Sequence, residues 1–417
     1  MNRPLLLCLF AVGLCAGHPA AAQSDYYRHV FFDNSQQHQQ YFQSSAAETE
    51  PSRLRSANFR LPVESMVFRT PPNALRIEWT SAPGGSWDAQ IQFVSFPNRF
   101  PDFAGGALIF WVYSPEPIVQ ADLPNVTLSD ARGGLQVATM PGSFTVEEPL
   151  ADYTGDLPAG QWVPVRIPFA KLRSASVYEF RPERLQSIVF HQRRADGKKH
   201  VLIVDDIRID DETAAGAAVA ALPVPAGVSA KGYDRHIDVQ WQAPVESAAA
   251  YYVVSRSIDG GPFLPVGTQR PRVNRYADFI GRSDVTARYQ VAAADWQGRQ
   301  SSASPAVTAA TREMTDDELL DMLQEAAFRY YWEASSATTG MARENLPGDD
   351  RILATGATGL GLSALVAAVD RKFITRDQGL GRLETLVSFL ERAPRYHGAW
   401  SHYYNEETGG TMALFGM

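Results

Sequence analysis

The stretch AWSHYYNEETGG at 399–410 sets a Trp, a His, two Tyr and two Glu within a few residues of one another. An indole can stack on the apolar face of a ring, while imidazole and phenol groups hydrogen-bond to hydroxyls. Trp400, His402 and Tyr403 are therefore candidate binders of a sugar-like substrate. Glycoside hydrolysis needs two carboxylates on opposite sides of the scissile bond, one as acid and one as base or nucleophile. Glu406 and Glu407 are adjacent in a NEETGG turn, where carboxylates read as solvated charges, so neither is assigned a catalytic role. A second short loop, GMARENLPG at 340–348, carries Arg343 and Glu344. These two can brace the same rim, or form an ion pair with a purely structural role.

Other candidates lie far upstream. Asp33, Asp205 and Asp206 offer hard oxygen ligands of the kind that a structural calcium needs, provided they converge. The alternative is that Asp205 and Asp206 cap a strand edge in solvent. Trp87 follows a Pro-Gly-Gly turn signal, where it either stacks on a sugar or closes a sandwich core. No cofactor for catalysis is expected.

The totals narrow the setting. Arg3, the apolar run at 5–14 and the small residues Ala20, Ala21 and Ala22 read as a cleavable export signal over 1–22. His18 and Pro19 stop the run short of the roughly 20 apolar residues a membrane span requires. A secreted or periplasmic location follows, with no transmembrane segment after cleavage. Both cysteines, Cys8 and Cys15, fall inside that signal. The mature chain then has no disulfide, cysteine nucleophile or thiolate metal site. Leu7 and Leu14 are too bulky for a lipid-attachment motif. The net charge is −8 with both signs interspersed, which argues against nucleic acid as a partner.

Three kinds of segment follow the signal. Residues 25–212 hold many short Val/Ile/Phe/Trp-rich runs, such as GGALIFWVYS and LQSIVFHQ, separated by Gly, Pro and Asn. This pattern predicts an all-β jelly-roll sandwich. The Ala/Gly/Pro-rich stretch at 213–222 reads as a linker. Residues 223–312 predict a second β-sandwich, with a hairpin turning at Asp259-Gly260-Gly261 and another turn at Gln297-Gly298. Its aromatic residues alternate with polar ones and are core candidates. At 315–417 the period changes to helical. Capping boxes at Thr315/Glu318 and Thr375/Gln378 open two helices, and the small-residue run GATGLGLSALVAAVDRKF forms another between them.

These segments resemble known families. VLIVDDIRID at 201–210 and LPAGQWVPVRIPFAKL at 157–172 resemble galactose-binding-like carbohydrate-binding modules. HIDVQWQAP, with Trp241, and ARYQVAAADWQGRQSSAS, with Tyr289, resemble a fibronectin type III domain. FRYYWEAS, GMARE, the segment from ATGATGLG to SFLERA, and RYHGAWSHYYNEETGG are similar to the bacterial glucoamylase-like domain family, which includes exported endo-β-1,2-glucanases. That resemblance implies an (α/α)6 toroid with an acidic cleft at one end, and a β-glucan polysaccharide or oligosaccharide as partner. It places the catalytic carboxylates in an acidic, glycine-containing stretch after this point of the domain and in a later loop.

A ring of about twelve helices needs on the order of 250 residues. Three helices are legible here, so the expectation is the first part of an incomplete toroid, its inward faces open. The leading expectation is an exported glycoside hydrolase, endo-acting on β-1,2-glucan or a related β-glucan, that lacks most of its catalytic domain. The alternative is a non-catalytic carbohydrate-binding or cell-surface adhesion protein.

Overall fold

The computed structural model describes residues 28–32, 40–93, 101–131, 142–210, 222–242, 249–271, 274–295, 299–345 and 351–412. The expected signal segment, Asp33, nearly all of the expected linker and the expected Gln297-Gly298 turn lie outside them.

The first unit is a sandwich of two antiparallel sheets. One sheet orders its strands as Trp162–Pro168, Ala107–Tyr113, Lys199–Asp210, Ala74–Thr80 and Arg53–Leu54. Val30–Phe32 adds to the long Lys199–Asp210 strand, and Val63–Glu64 adds to Ala74–Thr80. The facing sheet runs Ser44–Thr49, Ser86–Gln92, Leu185–His191, Asn125–Asp130 and Glu148–Pro149. The period-two rule is visible strand by strand. In Ala107–Tyr113, Leu108, Phe110 and Val112 are buried, while Ile109, Trp111 and Tyr113 turn to the outer face. The inner faces share one apolar core.

Trp87 belongs to that core, which corrects its placement in a loop as a sugar-stacking platform. It is the second residue of the Ser86–Gln92 strand, only 1% exposed, with its ring 5.1 Å from that of Trp79. Its indole N–H donates to Ser81 Oγ at 2.9 Å, so the one polar atom it takes into the core is satisfied.

The second unit is also a sandwich. A three-stranded sheet (Ala226–Gly232, His236–Gln242, Arg275–Phe279) faces a four-stranded one (Leu264–Gln269, Tyr251–Ile258, Thr286–Ala294, Val307–Ala310). Trp241, Tyr252 and Tyr289 are buried between them. Asp259 and Gly260 both have positive φ, the geometry that a tight hairpin turn matching strand twist demands.

Among the described residues three helices follow: α1 (Asp316–Glu333), α2 (Thr355–Asp370) and α3 (Arg376–Arg392). Both capping boxes form, with each Thr side chain accepting from the backbone three residues on and the reciprocal bond present. A Cβ on Gly361 would come within 2.9 Å of the Tyr331 ring, so the small residue is what lets α2 approach α1. Phe328, Leu365, Ala368 and Ile374 form one small core, and Met341, Leu353, Leu386 and Tyr404 another. Leu320, Leu323, Leu360 and Val366 are each more than half exposed. Among the described residues, no helix is long and apolar enough to cross a membrane.

Candidate functional site

The strand Ile352–Ala354 is the organiser of the C-terminal cluster. It pairs antiparallel with Tyr403–Asn405, setting Ala354 opposite Tyr403, and a bridge joins Leu353 to Arg343 on its other side. Two segments about sixty residues apart in sequence are thereby laid side by side. Thr355, opening α2, fixes the next residues: its hydroxyl donates to Ser401 O at 2.6 Å and its N–H to His402 O at 3.0 Å.

This ladder decides which charges meet. Arg343 pairs with Glu406, Nη2 to Oε2 at 2.8 Å, and also donates through Nη1 to Ala334 O at the end of α1. The expected Arg343–Glu344 pair is thus replaced by a longer-range one, and Glu406 is no solvated turn charge. Its side chain is 17% exposed and that of Arg343 14%. Glu407 is exposed in the turn, its N–H donating to Asn405 Oδ1. Glu344 instead accepts from the Tyr403 hydroxyl at 3.3 Å. Burial pushes the Tyr403 phenol above its ordinary range, and the charge of Glu344 and its hydrogen bond push the same way. Tyr330 is raised by burial and by Tyr331 and Glu344, and its hydroxyl donates to Arg343 O.

His402 is exposed and its ring lies 4.3 Å from that of Tyr403, so it joins the edge of this group. Trp400 does not. It sits on the hairpin Arg395–Tyr396/Ala399–Trp400, 44% exposed, with its N–H on Leu390 O at 3.0 Å and the Arg395 guanidinium 4.9 Å from its ring. Among the described residues no hydrogen bond or ring contact ties it to Arg343, Glu344 or Tyr403. Tyr403 is buried and its hydroxyl is given to Glu344, so the cluster can offer the Glu344 carboxylate and the His402 imidazole to hydroxyl groups. The carboxylate of Glu406 is committed to holding the loop.

The outer face of the first sandwich holds aromatic residues that sequence reasoning passed over. Trp162 lies opposite Tyr113 and Pro164 opposite Trp111, with the Trp162 and Tyr113 rings 5.4 Å apart. Arg69 lies 3.6 Å over the Trp111 ring. The signal was present in the strand alternation of FWVYS and QWVPV, which sets all three on one face. Farther across the same face, burial alone would raise Glu78. Hydrogen bonds from Lys199, Arg76 and Arg55 outweigh it and hold the carboxyl down at about 2.

The expected calcium ligands do not suit a metal. Asp205 is wholly buried, and its oxygens accept from Arg69 N–H, Thr70 N–H, the Thr70 hydroxyl and Asp206 N–H at 2.6–2.9 Å. Asp206 pairs with Arg208 at 2.9 Å and Arg69 at 3.3 Å. Burial pushes the Asp206 carboxyl up against the pull of those two arginines. A dication here would meet two guanidinium charges and oxygens already filled by donors. Asp33 lies outside the described residues. A different trio, Asp122, Asp196 and His200, brings ligand atoms within 4.8 Å of one another. There Arg194 pairs with Asp122 at 3.1 Å and His200 Nε2 is hydrogen-bonded to Asp196 at 2.8 Å, so the trio's ligand atoms already have partners.

Comparison with known proteins extends this geometry. Residues 28–211 match the family model of Carbohydrate binding domain 30. Over 392 residues, 94% of this chain, the sequence is 39% identical to the exo beta-1,2-glucooligosaccharide sophorohydrolase (non-reducing end) of Parabacteroides distasonis. The fold superposes on the crystal structure of a beta-1,2-glucanase from Parabacteroides distasonis with a TM-score of 0.81 and 38% identity, covering 94% of this chain and 54% of that one. The chain spans about half the length of the relatives it matches, and over that span it is similar to a β-1,2-glucan hydrolase in both sandwiches and helices.

Proposed function

We propose that the protein acts on β-1,2-linked glucan, or a closely related β-glucan, as an exported glycoside hydrolase of the endo-acting, glucoamylase-like kind. In this reading the first sandwich is a carbohydrate-binding module and the second a fibronectin type III spacer. The helices are the first of an (α/α)6 toroid, and the protein works outside the cytoplasm. The single observation that carries it is the 39% identity to a β-1,2-glucooligosaccharide hydrolase, which runs through 94% of the chain. The open Leu320, Leu323, Leu360 and Val366 support the toroid, because apolar helix positions of this kind suit the seating of neighbouring helices.

Within this reading Glu344 and His402 bind glucose hydroxyls at the rim of the cleft, and Tyr403, expected as a binder, orients the Glu344 carboxylate. Arg343 and Glu406 hold the two rim segments together. Catalysis calls for no cofactor, since glycoside hydrolysis by two carboxylates is acid–base and nucleophilic chemistry. No described carboxylate is assigned as the acid or the base.

The test is calorimetric titration of the purified full chain with linear β-1,2-glucan, and with β-1,3- and β-1,4-glucans of matched length. Preferential binding of the β-1,2 polymer is the expected result. Preference for either of the other linkages, or no binding to any of them, would overturn the assignment.

A further inference from the structure

A groove of about 770 Å3 runs between the two sandwiches, and none of its lining residues belongs to the C-terminal cluster. Arg55 and Phe68 of the first sandwich line one side, and Arg256, Tyr276, Asp278 and Phe279 of the second line the other. Its size falls within the roughly 300–1,000 Å3 of ordinary small-molecule sites, and domain junctions are where such sites concentrate.

The groove is held in shape from both sides. The Thr268 hydroxyl donates to Pro71 O across the junction at 3.3 Å. Tyr251 of the second sandwich is pushed up to about 12 by burial, and the neighbouring Asp206 of the first adds to the shift. The Tyr276 ring rests against the backbone of Gly267, where a Cβ would come within 2.3 Å of it, and its hydroxyl donates to Val266 O at 2.7 Å. That ring is thus fixed as a wall before any ligand arrives.

The chemistry of the lining points to one class of ligand. Asp278, 5% exposed, accepts from Arg256 Nη1 at 2.8 Å and from the Tyr289 hydroxyl at 2.6 Å. Arg256 spends only Nη1 in this way; its Nε and Nη2 bond no described residue, which leaves a donor fork for a bound group. Phe279 is 69% exposed, a large apolar ring in water at the end of its strand. Arg256 is paired with Asp278, and Arg55 shares the Glu78 carboxylate with Arg76 and Lys199. A neutral polyol finds an exposed ring for its C–H face and a guanidinium donor for its hydroxyls.

We propose that this junction groove is a second binding subsite for a neutral glucan chain, with Phe279 as the stacking platform and Arg256 as the hydroxyl donor. The proposal rests on the glucan reading above and adds to it a place where the chain is held away from the helices.

Calorimetric titration of the full chain with β-1,2-glucooligosaccharides tests it, using wild type, Phe279→Ala, Arg256→Gln and, as a comparison, Trp162→Ala on the outer sheet face. Phe279 is exposed, so its truncation leaves the fold intact, and thermal unfolding run in parallel checks this. The expected result is about a five- to tenfold loss of affinity in Phe279→Ala, the worth of one aromatic stacking contact, with an unchanged melting temperature. Arg256→Gln is expected to weaken binding as well. If Phe279→Ala titrates like wild type, the groove is not the subsite. The glucan reading then survives provided that wild type binds. If wild type binds no β-glucan, both fall together.

Discussion

The pair Arg343–Glu406 offers the sharpest test of how the C-terminal cluster is built. The perturbation is Arg343→Met, which keeps most of the aliphatic stem and removes the guanidinium. At 2.8 Å and an effective dielectric of about 20, the gross attraction of the pair is about 6 kcal/mol, of which desolvation takes back the larger part. Fully exposed pairs are worth about 0–1 kcal/mol, while removing one partner of a buried pair costs about 3–5. Both side chains here are less than a fifth exposed, which places the loss toward the buried case. The substitution also removes the donor to Ala334 O at the end of α1, worth about 1 kcal/mol. The expected destabilisation is about 3 kcal/mol for Arg343→Met. It should be about 1 kcal/mol for Glu406→Gln, since an amide oxygen still accepts from Arg343. In the double variant the two losses should not add, because a shared partner makes neighbouring sites couple.

With a separate core in each sandwich and further small cores among the helices, one melting curve would blend several transitions. Native-state hydrogen exchange at Leu353 and Tyr404 is the better assay. These amides lie in or beside the ladder that the pair clamps, and amides of Phe110 and Tyr252 in the sandwiches serve as internal controls. A loss below about 0.5 kcal/mol at the ladder would refute the argument. So would an equal loss at the sandwich amides.

Trp87→Ala should destabilise the first sandwich by about 3–5 kcal/mol, since it empties a site that is 1% exposed, and should leave glucan affinity unchanged. Thermal unfolding and titration of the same sample check it; lost affinity with unchanged stability would return Trp87 to a ligand role. Glu78 sets an acid limit. Its folded value of about 2 lies below the ordinary 4.5, so its stabilisation is complete above 4.5 and is lost as pH falls from there through 2. The stability gap between wild type and Glu78→Gln should therefore shrink from about pH 6 to about pH 3, and a pH-independent gap would contradict the network.

What the sequence made legible was local. The capping boxes at Thr315 and Thr375 span three residues, and both form. The strand alternation of ALIFWVY is likewise self-contained, and it sorts Phe110 inward and Trp111 outward with no help from the rest of the chain. Trp87 was obscured by its neighbours: Pro83, Gly84 and Gly85 suggest a loop, but the alternation SWDAQIQ begins at once and carries the indole inward. The remaining misreadings share a cause in sequence distance. Asp205 and Asp206 look like a solvent-facing pair until a shift in register and a positive φ at Asp206 bring them to Arg208 and to Arg69, more than a hundred residues earlier. Arg343 reaches Glu406 over Glu344 because of a ladder that no local pattern announces.

One further long-range contact sets the relation between the β units and the helices. Asp238, in the second sandwich and 3% exposed, is held at 3.3 Å by Arg275 and at 3.0 Å by Arg329 of α1, while Arg275 also pairs with Glu333 of α1 at 2.9 Å. A buried carboxylate shared between two guanidinium groups is costly to separate, because parting the units would leave charge unpaired on both sides. The end of α1 in turn carries Ala334, whose carbonyl Arg343 holds, and Arg343 holds Glu406. The second sandwich is thus clamped to the helix on which the candidate site is built, and at its other side it is joined to the first sandwich through Thr268 and Pro71. A glucan chain held in the junction groove would then stand at a fixed offset from Glu344 and Tyr403. Its effective concentration there would be set by this geometry.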